Sequence, residues 1–265
     1  MSYITNNKAA WEEAFEHRRT NWGDENFKRL KNEELPFFNL GIREELLKID
    51  FKNKSVAQFC CNNGREILSL MQLGAKNGVG FDIAQNIIGQ AKDTAKMADI
   101  KNCEFEACNI LDISSQYHNS FDFIFFTIGA ITWFEDLILL FDKVSKCLKP
   151  DGLLLINDFH PFENMLPLPG DDCFDDNNLN KFTYSYFRKE PWIENNGMEY
   201  MSAPYTSKTF TSFSHTMSAI INALSTNGIK TVRLNEYDYD IGLIDSDIYD
   251  GKGFPLSFTL LAEKC

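Results

Sequence analysis

The chain has 265 residues, 44% hydrophobic and 24% charged, a globular composition that suits one large domain or a domain with an insertion. Its net charge of -12 leaves no cationic surplus to displace counterions from a polyanion, which argues against a nucleic-acid partner. Seven cysteines without a C-x-x-C pair fit neither a zinc site nor a disulfide framework, and no apolar run approaches ~18 residues, so the expectations are no metal, no membrane partner and a cytoplasmic protein with reduced thiols. In chain order, 7–20 reads as an amphipathic helix with Trp11, Ala14, Phe15 and Arg18 on one side, followed by helices over 24–33 and 41–48. Strands are then expected at 55–60, 76–82, 103–107, 121–127 and 152–158. Between them stand helices at 64–73, 84–98 and 134–148 and a turn near 112–117. The run Phe121 to Thr127 is almost continuously apolar, as a parallel strand buried on both faces requires. Residues 160–211 break the alternation with Pro, Asp, Asn and aromatics and read as an insertion of loops and short antiparallel strands. A helix over 214–227 and two strands, 228–237 and 256–262, close the chain. With no helix between those two strands, the last one is expected to insert antiparallel.

The most informative stretch runs from Ser55 to Asp82. A short buried strand, Val56 to Phe59, enters a tight turn of small and left-handed-tolerant residues, Cys60 to Gly64, and a helix follows from Arg65. Such a junction turns free N–H groups and bare backbone toward a ligand. A second strand then ends in Asp82, placed to accept hydrogen bonds from ribose hydroxyls. Asp82 also reads as an N-cap of the helix that follows.

This region resembles the class I S-adenosylmethionine-dependent methyltransferases, strongly over 36–160 and more loosely over 213–264. The family's first strand carries acid-x-G-x-G-x-G. Here the acid falls on Gln58 and the glycines on Cys60, Asn62 and Gly64, so only Gly64 matches. Cys is small and Asn enters the left-handed region with little strain, so the turn can still form. The resemblance implies a doubly wound, mostly parallel seven-stranded Rossmann-like sheet with an antiparallel last strand, and S-adenosylmethionine as cofactor. It implies cofactor contacts at Gln58, Cys60, Asn62, Gly64, Arg65, Asp82, Ile83, Asn109, Ile110, Ile128 and Gly129, with Asp82 on the ribose and Asn109 replacing an acid at the adenine. Leu148 to Ile156 matches the family's helix–turn–strand ending. A narrower likeness, through Trp133, Asp158, His160 and His215, is to a bacterial subgroup acting on small molecules, with the acceptor unassigned.

His160, just beyond the fifth strand, and His215, near a helix start, are the candidate catalytic bases; the favoured reading of each is structural, His160 hydrogen-bonding backbone around Pro161 and His215 capping or packing. His17 and His118 read as solvated. Asp158 either lines the cleft or fixes Asn39 or a loop amide. Trp133, Tyr184, Tyr186, Phe187, Trp192 and Tyr205 wall an acceptor pocket or form the insertion's own core. The expected organisation is a lid over 1–50, with Trp11 and Phe38 facing the cleft, a cofactor core over 51–159, an acceptor insertion over 160–213 and a C-terminal helix and hairpin over 214–265. The rival readings are a nicotinamide-dependent oxidoreductase and a non-catalytic cofactor-binding protein with a degraded site.

Overall fold

In the computed structural model of the chain, residues 2–169, 171–179, 181–242 and 247–265 are described. Met1 of the expected lid, Gly170 and Asn180 of the expected insertion and 243–246 of the expected hairpin loop lie outside the described residues. Three helices come first: α1 (Tyr3–Glu16), α2 (Asn26–Asn32) and α3 (Leu40–Leu46). Then follow β1 (Ser55–Phe59), α4 (Arg65–Leu70), β2 (Asn77–Asp82), α5 (Gln85–Met97), β3 (Cys103–Ala107), β4 (Phe121–Thr127), α6 (Leu137–Cys147) and β5 (Leu148–Phe159). The insertion carries β6 (Trp192–Glu194) and β7 (Phe210–Ser212), and α7 (Met217–Thr226), β8 (Ile229–Tyr237) and β9 (Ser257–Lys264) end the chain.

Among the described residues, seven strands form one sheet in the order β3-β2-β1-β4-β5-β9-β8. β1 to β5 are parallel, and β9 pairs antiparallel with both β5 and β8. The period-two geometry of strands splits the core. Ile124 and Phe126 face α6 and α7, where Leu140, Phe141, Val144, Ile220 and Leu224 are buried. Phe123 and Phe125 face α4 and α5, where Ile67, Leu68, Ile88 and Ala91 are buried. Each such fully buried side chain contributes about 1.5–3 kcal/mol relative to exposure.

Helix starts follow their capping residues. α1 begins earlier than the apolar pattern implies because Ser2 caps it, accepting from the N–H of Thr5. α6 begins at Leu137 because Asp136 accepts from Ile138 and Leu139 N–H at 2.8 and 3.1 Å. The fifth strand starts at Leu148, before the expected turn, because Leu148 already pairs with Phe121.

The three N-terminal helices differ in what they cover. α2 and α3 bury Leu30, Ile42 and Leu46 against the sheet, and Phe38 lies edge-on to Phe125 at 6.2 Å in that same core rather than facing the cleft. Only α1 crosses the carboxyl ends of the strands. Its buried Asn7 donates to Thr211 O at 2.8 Å and accepts from Thr211 N–H at 2.7 Å, so the helix is clasped to β7 of the insertion. No helix among the described residues is long and apolar enough to cross a membrane.

Candidate functional site

The site begins with the turn after β1. Cys60, Asn62 and Gly64 all have positive φ, 57°, 48° and 73°. Three alternate residues therefore adopt the left-handed conformation that the family's glycines supply, although two are not glycine. At Gly64 the requirement is absolute: a Cβ there would lie 2.3 Å from Phe105 Cε1. Asp82, at the end of β2, ties this turn down. It accepts from Asn62 N–H at 2.8 Å and from Ala84 N–H at 3.0 Å. It is not the expected N-cap of α5, whose N-cap position is Ala84. Burial pushes the Asp82 carboxyl up, while those backbone donors pull it back. Burial also pushes the Cys60 thiol well up, so it is a neutral, small turn residue rather than a nucleophile.

Beside Asp82 a cleft of about 320 Å³ is lined by Ser2, Ile4, Thr5 and Lys8 from α1 and its cap, and by Ile83, Ala107, Cys108, Asn109 and Asp112 from the sheet. Asn109 caps the short turn over Ile110–Asp112, accepting from Leu111 N–H at 3.2 Å and donating to Asp112 at 2.8 Å. Ile110, expected at the adenine, packs in the core instead, 3% exposed.

Gln58 stands where the family's acid is expected, and both ends of its amide are engaged inside the fold. It is fully buried, donates to Thr127 Oγ1 at 2.8 Å and accepts from Ile67 N–H at 3.1 Å. Arg65 Nε donates to Glu66 Oε1 at 2.8 Å, with its guanidinium over the Phe37 ring.

After β4, half-buried Ile128 leads to Gly129, whose φ is +75°. Asp158 holds this loop. Its carboxylate, 2% exposed, accepts from the N–H groups of Gly129, Phe159 and Ile131. Burial pushes its pKa up to about 6, against the pull of those donors. Of the roles open to Asp158 in the sequence, fixing a loop amide is the one observed.

Both candidate bases are engaged in hydrogen bonds within the fold. His160 Nδ1 accepts from Phe162 N–H at 3.1 Å, which places the proton on Nε2, and Nε2 donates to Glu236 at 2.8 Å. Both ring nitrogens are spent. Burial lowers its pKa more than Glu236 raises it. His215 Nε2 donates to Phe134 O at 2.9 Å, pinning the strap at 213–216 to the loop after β4, and burial lowers its pKa too. Of the remaining pair, His17 is exposed and stacks on Tyr205 at 4.2 Å, and His118 is exposed.

The aromatics divide. Trp133 joins the cap, edge-on to Trp11 at 5.3 Å, and Trp11 meets Phe210 at 5.5 Å. Tyr184 and Trp192 pack on each other at 4.8 Å, under Arg188, as the insertion's own core. Tyr200, which local sequence signals do not single out, reaches the turn: its hydroxyl accepts from Asn62 Nδ2 at 3.1 Å.

These residues fit an S-adenosyl group. The left-handed turn, the acid ending β2, the cleft beside it and the glycine loop after β4 lie along one edge of the sheet, at the strand carboxyl ends where open α/β sheets bind ligands.

A methyltransferase domain model matches residues 50–207. A tRNA U34 carboxymethyltransferase of Helicobacter pylori (strain Shi470) is 29% identical over 119 residues, 44% of this chain and 45% of that protein. Its counterpart from strain HPAG1 is 35% identical over 107 residues, 40% of this chain and 41% of that protein. The matched part thus spans less than half of these relatives. Among solved structures, an S-adenosylmethionine dependent methyltransferase from Listeria monocytogenes superposes with a TM-score of 0.64 at 20% identity, covering 84% of this chain and 97% of that one. One from Mesorhizobium loti gives 0.57 at 14% identity, covering 83% and 96%.

Proposed function

Because the chain belongs to the methyltransferase domain family, an enzyme family whose cofactor is S-adenosylmethionine, we propose that it transfers the cofactor's methyl group to a small molecule held between the loop after β4 and the 160–213 insertion. The observation that carries this reading is Asp82 at the end of β2, locked to a turn with three left-handed residues. The bound cofactor supplies an electrophilic methyl group on a sulfonium centre.

The chain's own residues bind, orient and exclude water. Asp82 uses one hydrogen bond per oxygen within the protein, and a carboxylate retains lone pairs for the ribose hydroxyls. Ile83 and Asn109, which line the cleft, would hold the adenine. Cys60, Gly64 and Arg65 shape the turn, and Ile128 and Gly129 would face the methionine part, on the loop that Asp158 holds in place. Gln58 acts as a tie between β1, β4 and α4 rather than as a ligand for the amino group. Trp11, Trp133 and Phe210 close the cap over the reacting centre, and dry alignment of nucleophile, carbon and sulfur supplies much of the rate. His160 and His215 are positioning residues in this scheme. An acceptor that reacts from its neutral or anionic form needs no base from the protein.

The antiparallel β9 and the single glycine of the turn disfavour a nicotinamide-dependent oxidoreductase. A second reading takes tRNA as the acceptor, favoured by the names of the Helicobacter relatives. The net charge of -12 weighs against it, because phosphate backbones are held by cationic side chains. Incubation with cofactor tritiated at the methyl group, alongside a small-metabolite fraction and bulk tRNA, decides between them. Label in small molecules is the expected result. Label in tRNA favours the second reading, and label in neither contradicts methyl transfer by this chain.

A further inference from the structure

The insertion touches the cofactor turn through Tyr200. Its backbone lies in a tight turn, closed by Met201 N–H donating to Met198 O at 2.9 Å. The ring sits between Trp11 and Trp22, with centroids 6.5 and 6.1 Å away, so both indoles hold the phenol in one orientation. The hydroxyl oxygen accepts from Asn62 Nδ2 at 3.1 Å. Asn62 is the middle left-handed residue of the turn, and its own N–H is bonded to Asp82.

A phenol has one donor hydrogen as well as its acceptor lone pairs. Asn62 uses a lone pair; among the described residues no acceptor takes the hydrogen. Burial pushes the Tyr200 pKa up, so the group stays protonated and remains a donor at neutral pH. Tyr200 is half-buried, and a donor hydrogen held beside the turn is free to meet a ligand acceptor there. The oxygen-rich ligand expected at this turn would supply the missing acceptor.

We propose that Tyr200 is a cofactor-binding residue delivered by the insertion, its hydroxyl donating to an oxygen of the cofactor, either a ribose hydroxyl or the methionine carboxylate. This rests on the cofactor reading above and adds to it. The segment carrying Tyr200 also holds α1, through the Asn7–Thr211 pair and the His17–Tyr205 stack. Cofactor bound to Tyr200 would therefore tie the insertion segment and α1 to the cofactor turn.

The test is calorimetry on the full chain with two probes, S-adenosylhomocysteine and 5′-methylthioadenosine, which keeps the ribose but lacks the methionine carboxylate. Tyr200→Phe keeps the ring and its packing against the indoles and removes only the hydroxyl; a thermal melt matching wild type checks that. The expected result is about tenfold weaker binding of S-adenosylhomocysteine, the size of one lost hydrogen bond. A matching loss with 5′-methylthioadenosine places the contact on the ribose; loss with S-adenosylhomocysteine alone places it on the carboxylate. Wild-type affinity of Tyr200→Phe for both probes overturns the proposal while leaving the cofactor reading intact. Failure of the wild-type protein to bind either probe overturns both.

Discussion

At the carboxyl ends of β1 and β2 the cleft is shaped by backbone, whereas at the ends of β4 and β5 it is shaped by buried polar side chains. The first end depends on three left-handed residues and one carboxylate that holds the amide of the middle one, Asn62. At the second end, Asp158 and His160 spend their polar atoms on neighbouring loops and strands, and His215 commits one ring nitrogen to Phe134 O. The cofactor end therefore tolerates changes of side chain as long as the left-handed conformation survives, which is how Cys60 and Asn62 replace glycines. The end at β4 and β5 offers walls fixed by buried polar groups, and His160 there has neither ring nitrogen free.

The sharpest way to break this contrast is Gly64→Ala. The added methyl meets Phe105 at 2.3 Å in a backbone conformation that L-residues resist, and the expected loss of stability is about 3–5 kcal/mol by urea unfolding. A neutral result would mean the turn is not backbone-determined. Next in size, Asp158→Ala orphans buried N–H groups around Gly129 and is expected to cost about 2–4 kcal/mol.

Asp158 also gives a pH signature. Its folded pKa, about 6, lies above the unfolded value near 4, so the folded state binds more protons between those values. Its contribution to stability is then fully present below pH ~4 and is lost as pH rises through ~6. Asp158→Asn should remove this fall, so the wild-type-minus-variant difference in unfolding free energy changes by about 1–3 kcal/mol between pH 4 and pH 7. A pH-independent difference would show that Asp158 is not titrating where its burial places it. The smallest effect is expected from Cys60→Gly. Relief of the left-handed strain is offset by the greater unfolded-state freedom of glycine, leaving stability within about 1 kcal/mol of wild type. A loss above ~2 kcal/mol would mean the thiol itself packs in an essential way.

Much of the fold is legible in local sequence. The apolar run of β4, the capped helix starts and the lack of an amphipathic helical pattern in the sequence between Tyr237 and Ser257 carry the sheet and its antiparallel end, because each depends on residues close in the chain. The turn after β1 is also legible, since Cys and Asn have a known tolerance of the left-handed region. What sequence does not disclose is pairing at long range. Asn62 meets Tyr200 across 138 positions, His160 meets Glu236 across 76, and Asn7 meets Thr211 across 204. Nothing near His160 announces that its second nitrogen is taken from β8, so a histidine at a strand end reads as a base. In the same way, α2 and α3 read as a lid because the sheet face they cover is assembled from strands later in the chain.

The most direct test of the cofactor site is calorimetric titration of S-adenosylhomocysteine into the wild-type protein, Asp82→Asn and Asp82→Ala. The expected result is saturable binding to wild type, weakened in Asp82→Ala by about 1.5–3 kcal/mol, the value of hydrogen bonds to a charged group, with a smaller loss in Asp82→Asn. Absence of heat with the wild-type protein at saturating ligand, or wild-type affinity in a folded Asp82→Ala, would contradict a cofactor site at the end of β2.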